Sequence, residues 1–218
     1  MRMDKPALLR LLTWLSPAFP TGGFAYSHGL EWSVEAGDVA DAAALTGWLE
    51  DVLAQGALWS DAILLRHAHR GGDLHALAEI AEALAPSSER RLETLAQGAA
   101  FALAAQPWPA AALAEWGDMP LPYPIAVGAL AAAHEVAADG AVLAYLHAAT
   151  ANLCSAAIRL IPLGQAAGLR VQAALEPAIL ATEAATRDAR LDDLGTASWG
   201  PDIAAMRHET QYTRLFRT

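Results

Sequence analysis

His28 and Glu31 stand three residues apart, and His67, His69, Asp73 and His75 lie close together further along the chain. Residues three or four apart share a helix face. His28 and Glu31 therefore have the spacing of an acid–base pair or of two ligands to one metal. A binuclear carboxylate bundle would need Glu-x-x-His on two helices and further carboxylates, and no second copy occurs. His67 and His69 point to different faces of a helix. With Asp73 and His75 they would chelate a metal only where the chain is irregular, and their spacing fits no standard site. A solvated helix surface is the plainer reading. Cys154 lies in an uncharged stretch with no adjacent cation to activate its thiol, so it reads as a small core residue. Phosphate loop, dinucleotide fingerprint, nucleophile elbow and H-E-x-x-H are all missing from the sequence. An enzyme built on His28 and Glu31, or a metal carrier built on His67, Asp73 and His75, is the alternative to a protein that works by binding others.

Three denser blocks suit binding better. The first, Ser16-Pro17-Ala18-Phe19-Pro20-Thr21-Gly22-Gly23-Phe24-Ala25-Tyr26-Ser27-His28-Gly29-Leu30-Glu31, is stiffened by two prolines and freed by two glycines. Phe19, Phe24 and Tyr26 give it large apolar anchors, so it suits a docking loop or one folded back on the core. The second, Arg159-Leu160-Ile161-Pro162-Leu163-Gly164-Gln165, places a cation and an amide around a proline. Arg159 follows nineteen uncharged residues and must reach water or meet a carboxylate or carbonyl groups. The third is His208-Glu209-Thr210-Gln211-Tyr212-Thr213-Arg214-Leu215-Phe216-Arg217-Thr218, an interface-like mixture of arginine and large apolar residues. It would serve equally for packing on the chain's own body.

The elements that must hold these blocks are helices. Of 218 residues, 53 are alanine, and Val, Ile and Thr are scarce, which argues against an all-β fold. A 55% hydrophobic content excludes disorder. Fourteen basic against twenty-four acidic residues leave a net charge of −10, and Lys5 is the sole lysine, so no surface for nucleic acid is expected. One cysteine allows no disulfide within the chain and points to a reducing cytoplasm. A leader at Met1–Lys5 is not expected, because Arg10 interrupts the apolar stretch that follows. Residues 94–114 and 140–158 lack formal charge. Their prolines and polar side chains mark them as buried helices and not membrane spans. Leu8, Leu9, Leu11, Leu12 and Leu15 form the apolar face of a first helix, and a second is expected over Phe24–Glu35, closed by Gly37. Asp41, Asp73 and Ser87 or Ser88 are placed to cap later helices. Short helix content is expected from Gln106 to Pro124. The sequence thus predicts an all-α fold: a single compact domain, 1–218, of about eight to ten helices, with 190–218 a partly flexible interaction tail.

The three blocks, in this order and over nearly the whole chain, resemble the UreF family of urease accessory proteins. The resemblance implies a non-enzymatic chaperone or adaptor of urease maturation that forms a homodimer. Its implied partners are the UreD/UreH-type accessory protein, the nickel-carrying GTPase UreG and apo-urease, with neither nucleic acid nor membrane. No cofactor is expected to be bound firmly, nickel being handled by the assembled complex. The residues expected to meet partners are Phe19, Phe24, Tyr26, Ser27, His28, Glu31, Arg159, Gln165, His208, Glu209, Tyr212, Arg214, Leu215 and Phe216.

Overall fold

A computed structural model describes residues 4–116 and 120–218. Met1–Met3, part of the segment considered as a leader, lie outside them. The described residues form α1 (Lys5–Trp14), α2 (Leu30–Glu35), α3 (Ala42–Gln55), α4 (Ala57–His69), α5 (Leu74–Leu84) and α6 (Ser88–Ala104). They continue with α7 (Ala111–Trp116), α8 (Tyr123–Ala133), α9 (Ala138–Leu160), α10 (Gln165–Ala174), α11 (Glu176–Ala185) and α12 (Trp199–His208). Two short 3₁₀ turns, Gly23–Ala25 and Leu191–Asp193, complete the set, and no strand occurs among the described residues. The fold is all-α. Ten of its helices have ten or more residues; α2 and α7 have six.

Caps expected from the sequence are made. Asp41 accepts from the Ala43 and Ala44 amides, Asp73 from those of His75 and Ala76, and Ser87 from that of Arg90. Each satisfies N–H groups that the first helical turn leaves without a carbonyl. Gly37, at φ 85°, follows α2 as anticipated.

The centre is α4 against α8, with α9 laid across both. The run Pro124–Ala131 in α8 is buried on every side, as its lack of any polar face requires. Close approach depends on Gly128: a Cβ there would stand 2.3 Å from the Leu65 carbonyl oxygen. Gly98 does the same for α6, where a Cβ would fall 1.7 Å from the Leu121 carbonyl oxygen. Helix α9 alone among the described residues is long and apolar enough to cross a membrane. It is also the element on which α2, α4, α8, α10 and α11 pack. The other uncharged stretch breaks after α6, at Gln106–Pro109.

One prediction needs correcting. The helix expected over Phe24–Glu35 begins only at Leu30. His28 at φ 59° and Gly29 at φ 80° are both left-handed, and no α-helix accommodates two such residues in succession. Gly29 is required there twice over, because a Cβ would also lie 2.5 Å from the Ala205 amide nitrogen in α12.

A buried cation ties three helices. Arg66 of α4, 1% exposed, reaches Asp139 at 2.6 Å, and the Glu183 carboxylate and carbonyl at 2.6 and 2.8 Å. Its hydrogen bond is the main reason that the Asp139 carboxyl is held below the usual range. Arg66→Met would leave two carboxylates facing each other without their shared ion. We predict a loss of about 2–3 kcal/mol, since Asp139 is partly solvated and Arg187 remains nearby. Thermal unfolding followed by circular dichroism should show Tm lowered by about 4–12 °C.

Candidate functional site

The three sequence blocks, far apart in the chain, converge on one clasp. Its first anchor is Glu31, in the first turn of α2 and 5% exposed. One carboxylate oxygen accepts the Leu215 amide at 2.7 Å and the other the Phe216 amide at 2.9 Å. The same carboxylate lies 3.2 Å from His208 Nε2. His208, with no exposed surface, turns its Nδ1 to Glu89 of α6 at 2.7 Å. Both contacts are donated at once only by a doubly protonated ring. Arg214 also reaches Glu89, at 2.5 Å. Glu209 accepts the Ser88 amide at 2.7 Å and the Ser88 hydroxyl at 2.6 Å, capping α6 from the other end of the chain. Those bonds, the hydroxyl foremost, hold its carboxyl below the ordinary value.

Glu93, one turn along α6, is the second anchor and is 2% exposed. It takes Arg90, His28 Nε2 at 2.8 Å, Gln97 Nε2 at 2.9 Å and the Thr218 hydroxyl at 2.8 Å. Burial pushes its carboxyl up, but the charges of Arg90 and then His28 outweigh burial and bring its pKa down to about 2. The Thr218 carbonyl oxygen accepts the Ser27 amide at 3.1 Å and also the Ser27 hydroxyl. The Arg217 amide donates to the Ala25 carbonyl oxygen at 2.8 Å. The left-handed His28–Gly29 turn thus lets Ser27, His28 and Glu31 all address the C-terminal segment or its anchor.

Arg159 closes the clasp from the last turn of α9. Its guanidinium stacks 3.7 Å from the Phe24 ring centroid and 4.3 Å from that of Phe216. Its edge donates to the Phe24 carbonyl oxygen at 3.0 Å. Arg159 stays exposed and also donates to carbonyl oxygens, the two outcomes open from the sequence, with both rings set against it; partial burial lowers its pKa.

The residues expected to meet partners divide by exposure. Ser27, Glu31, His208 and Phe216 are buried in the clasp, and Tyr26 is 6% exposed. Phe19 packs its ring on Phe101 and Trp108, with centroids 5.4 and 6.4 Å apart. Phe24, Tyr212 and Leu215 remain in water at 67%, 101% and 74% exposure, and Gln165 is exposed at the start of α10. Sequence reasoning missed Glu89, Glu93 and Gln97 of α6. Their spacing of four puts them on one helix face, a legible signal, but nothing local says that the face is covered.

The residues of the enzyme and metal-carrier alternative are not brought together. His28 faces Glu93 while Glu31 faces His208. His67 reaches the Ala189 carbonyl, His69 that of Val136, and His75 stacks on Trp116 at 4.3 Å. Among the described residues no three His, Cys, Asp or Glu side chains form a group able to hold a metal ion. Burial pushes the Cys154 thiol up to about 11, away from reactivity.

Two outcomes follow from the geometry. Glu31→Gln keeps size and one acceptor oxygen but loses the charge. It should cost about 1–3 kcal/mol and speed hydrogen exchange at the Leu215 and Phe216 amides, readable by NMR. Glu93 has a folded pKa below its ordinary 4.5. Its contribution is therefore complete above pH 4.5 and lost as pH falls toward about 2. Urea denaturation between pH 2 and pH 7 should show Glu93→Gln less stable at neutral pH, with a flatter acid limb.

Comparison with known sequences agrees with the blocks. The sequence model of the UreF family matches residues 39–176. A urease accessory protein UreF of Bradyrhizobium sp. (strain BTAi1 / ATCC BAA-1182) is 53% identical over 225 residues, covering 99% of this chain and 94% of the relative. That of Rhodopseudomonas palustris (strain TIE-1) is 52% identical over 223 residues, covering 97% and 92%. That of Cereibacter sphaeroides (strain KD131 / KCTC 12085) is 52% identical over 212 residues, covering 97% and 99%. Identity at this level over nearly the whole chain leaves one assignment: the chain belongs to the UreF family of urease accessory proteins.

Proposed function

We propose that this chain, an accessory protein and not an enzyme, serves urease maturation as an adaptor in the cytoplasm. It bridges the UreD/UreH-type accessory protein and the nickel-carrying GTPase UreG, acts as a homodimer, and presents both to apo-urease. Nickel is handled by the assembled complex and is not held firmly by this chain.

The observation that supports this reading is the division of labour within the clasp. Side chains that hold the C-terminal segment are buried, while Tyr212 and Leu215 project from that segment into water. A segment held by so many hydrogen bonds yet presenting large apolar side chains has the anatomy of a preformed binding surface. The UreD/UreH-type partner meets Tyr212 and Leu215 on this surface. Phe24, on the neighbouring loop, is the exposed anchor for the GTPase or for a second copy of the chain. Phe19 and Tyr26, whose rings are spent on the core, support that loop from beneath.

Replacing Tyr212 and Leu215 together by alanine tests the reading without touching the clasp's side-chain hydrogen bonds. Capture of the UreD/UreH-type protein should weaken at least about tenfold while the circular dichroism spectrum stays unchanged. Phe24→Ala should instead lower GTPase recruitment or dimerisation, and with it urease activation. Wild-type affinity in the double variant and in a chain ending at Met206 would overturn the partner assignment. Urease activation unaffected by all three changes would overturn the adaptor reading itself.

A further inference from the structure

Arg159 touches both of the other sequence blocks and nothing in the proposed function requires it to. One face of its guanidinium stacks on Phe24, at 3.7 Å, and the group also lies 4.3 Å from the Phe216 ring centroid. Its Nη2 donates to the Phe24 carbonyl oxygen at 3.0 Å, and its Nε to the carbonyl oxygen of Ser155 at 3.2 Å in its own helix. Phe216 is 5% exposed and its amide is one of the two that end on Glu31. Phe24 belongs to the 3₁₀ turn Gly23–Ala25, which is flanked by Gly22 at φ 75° and His28 at φ 59°.

We propose that Arg159 is a latch that ties docking of the C-terminal segment to the closed position of the Phe24 turn. The physical basis is shared ordering. A guanidinium is planar, so its faces stack on rings while its edges donate hydrogen bonds. The helix already restrains Arg159 through Ser155, and whichever ring arrives first orders it for the second. Displacing the Phe24 turn removes a ring face and a carbonyl acceptor together. The guanidinium then loses the orientation in which it meets Phe216, and the segment is held more weakly. Linkage makes the relation reciprocal: release of the segment loosens the turn to the same degree. The backbone bonds from Arg217 to Ala25 and from Ser27 to Thr218 join the same two regions. The latch therefore tunes docking and does not create it. It is intramolecular and does not depend on which partner engages either surface.

Amide hydrogen exchange on the full chain, read by NMR, tests the latch. Leu215 and Phe216 report the segment, and buried α8 amides such as Val127 report the global fold. Arg159→Ala should accelerate exchange at Leu215 and Phe216 about tenfold and leave Val127 unchanged. Arg159→Lys keeps the charge but cannot stack and donate in the same way, so it should fall between the two. Phe24→Ala should accelerate the same two amides, and should add almost nothing once Arg159 is alanine. Unchanged protection in Arg159→Ala would overturn the latch. So would a Phe24→Ala effect of equal size with and without Arg159, or equal acceleration at Val127.

Discussion

Two buried carboxylates, Glu31 and Glu93, set the terms for everything around them. A charge removed from water must be compensated inside the protein, or the group neutralises or the fold opens. Neither carboxylate is compensated by its own element alone. Glu31 is satisfied by two amides and a histidine from the C-terminal segment, Glu93 by Arg90 and Gln97 of its helix together with His28 and Thr218. The loop, α6 and the segment therefore have mutually dependent positions. The left-handed turn at His28 and Gly29 costs backbone strain at a non-glycine residue, which these bonds offset.

Alanine abundance and this clasp solve different parts of the same problem. Small side chains allow α4, α8 and α9 to approach closely, Gly128 marking the contact of α8 with α4, and Gly98 brings α6 close to Leu121. Such a core offers few functional groups. Two polar clusters stand out against it, the Arg66 cluster between α4, α9 and α11, and the clasp between α2, α6, α9 and the C-terminal segment. The first ties helices within the scaffold. The second shapes a surface, since it leaves Phe24, Tyr212 and Leu215 outside. For a member of an accessory-protein family, a rigid body with a few presented anchors is the physically economical arrangement, because little conformational entropy remains to be lost on binding.

Much of this was legible in the residues. The apolar periodicity, the caps at Asp41, Asp73 and Ser87, and the interruption at Gln106–Pro109 depend on neighbours within a few positions, where local rules hold. The blocks themselves were legible as unusual combinations of residue types. Which member of a block is buried was not. Phe19 and Phe24 are the same residue in the same loop, yet one packs on Phe101 and Trp108 while the other stays in water. Burial depends on what approaches from elsewhere in the chain.

The sequence by itself determined that this protein is helical, acidic and poor in catalytic groups, and that three segments combine unusual residue types. Composition, periodicity and residue type are local properties, and they suffice for those conclusions. Only the tertiary structure decided that the three segments form one site. It also decided that Glu31 belongs with His208 and not with His28, that α6 supplies the missing carboxylates, and that Arg159 stands between two phenylalanines. Hydrogen bonds to a desolvated carboxylate act over about 3 Å, and groups nearly two hundred residues apart come within that range only when the helices between them have packed.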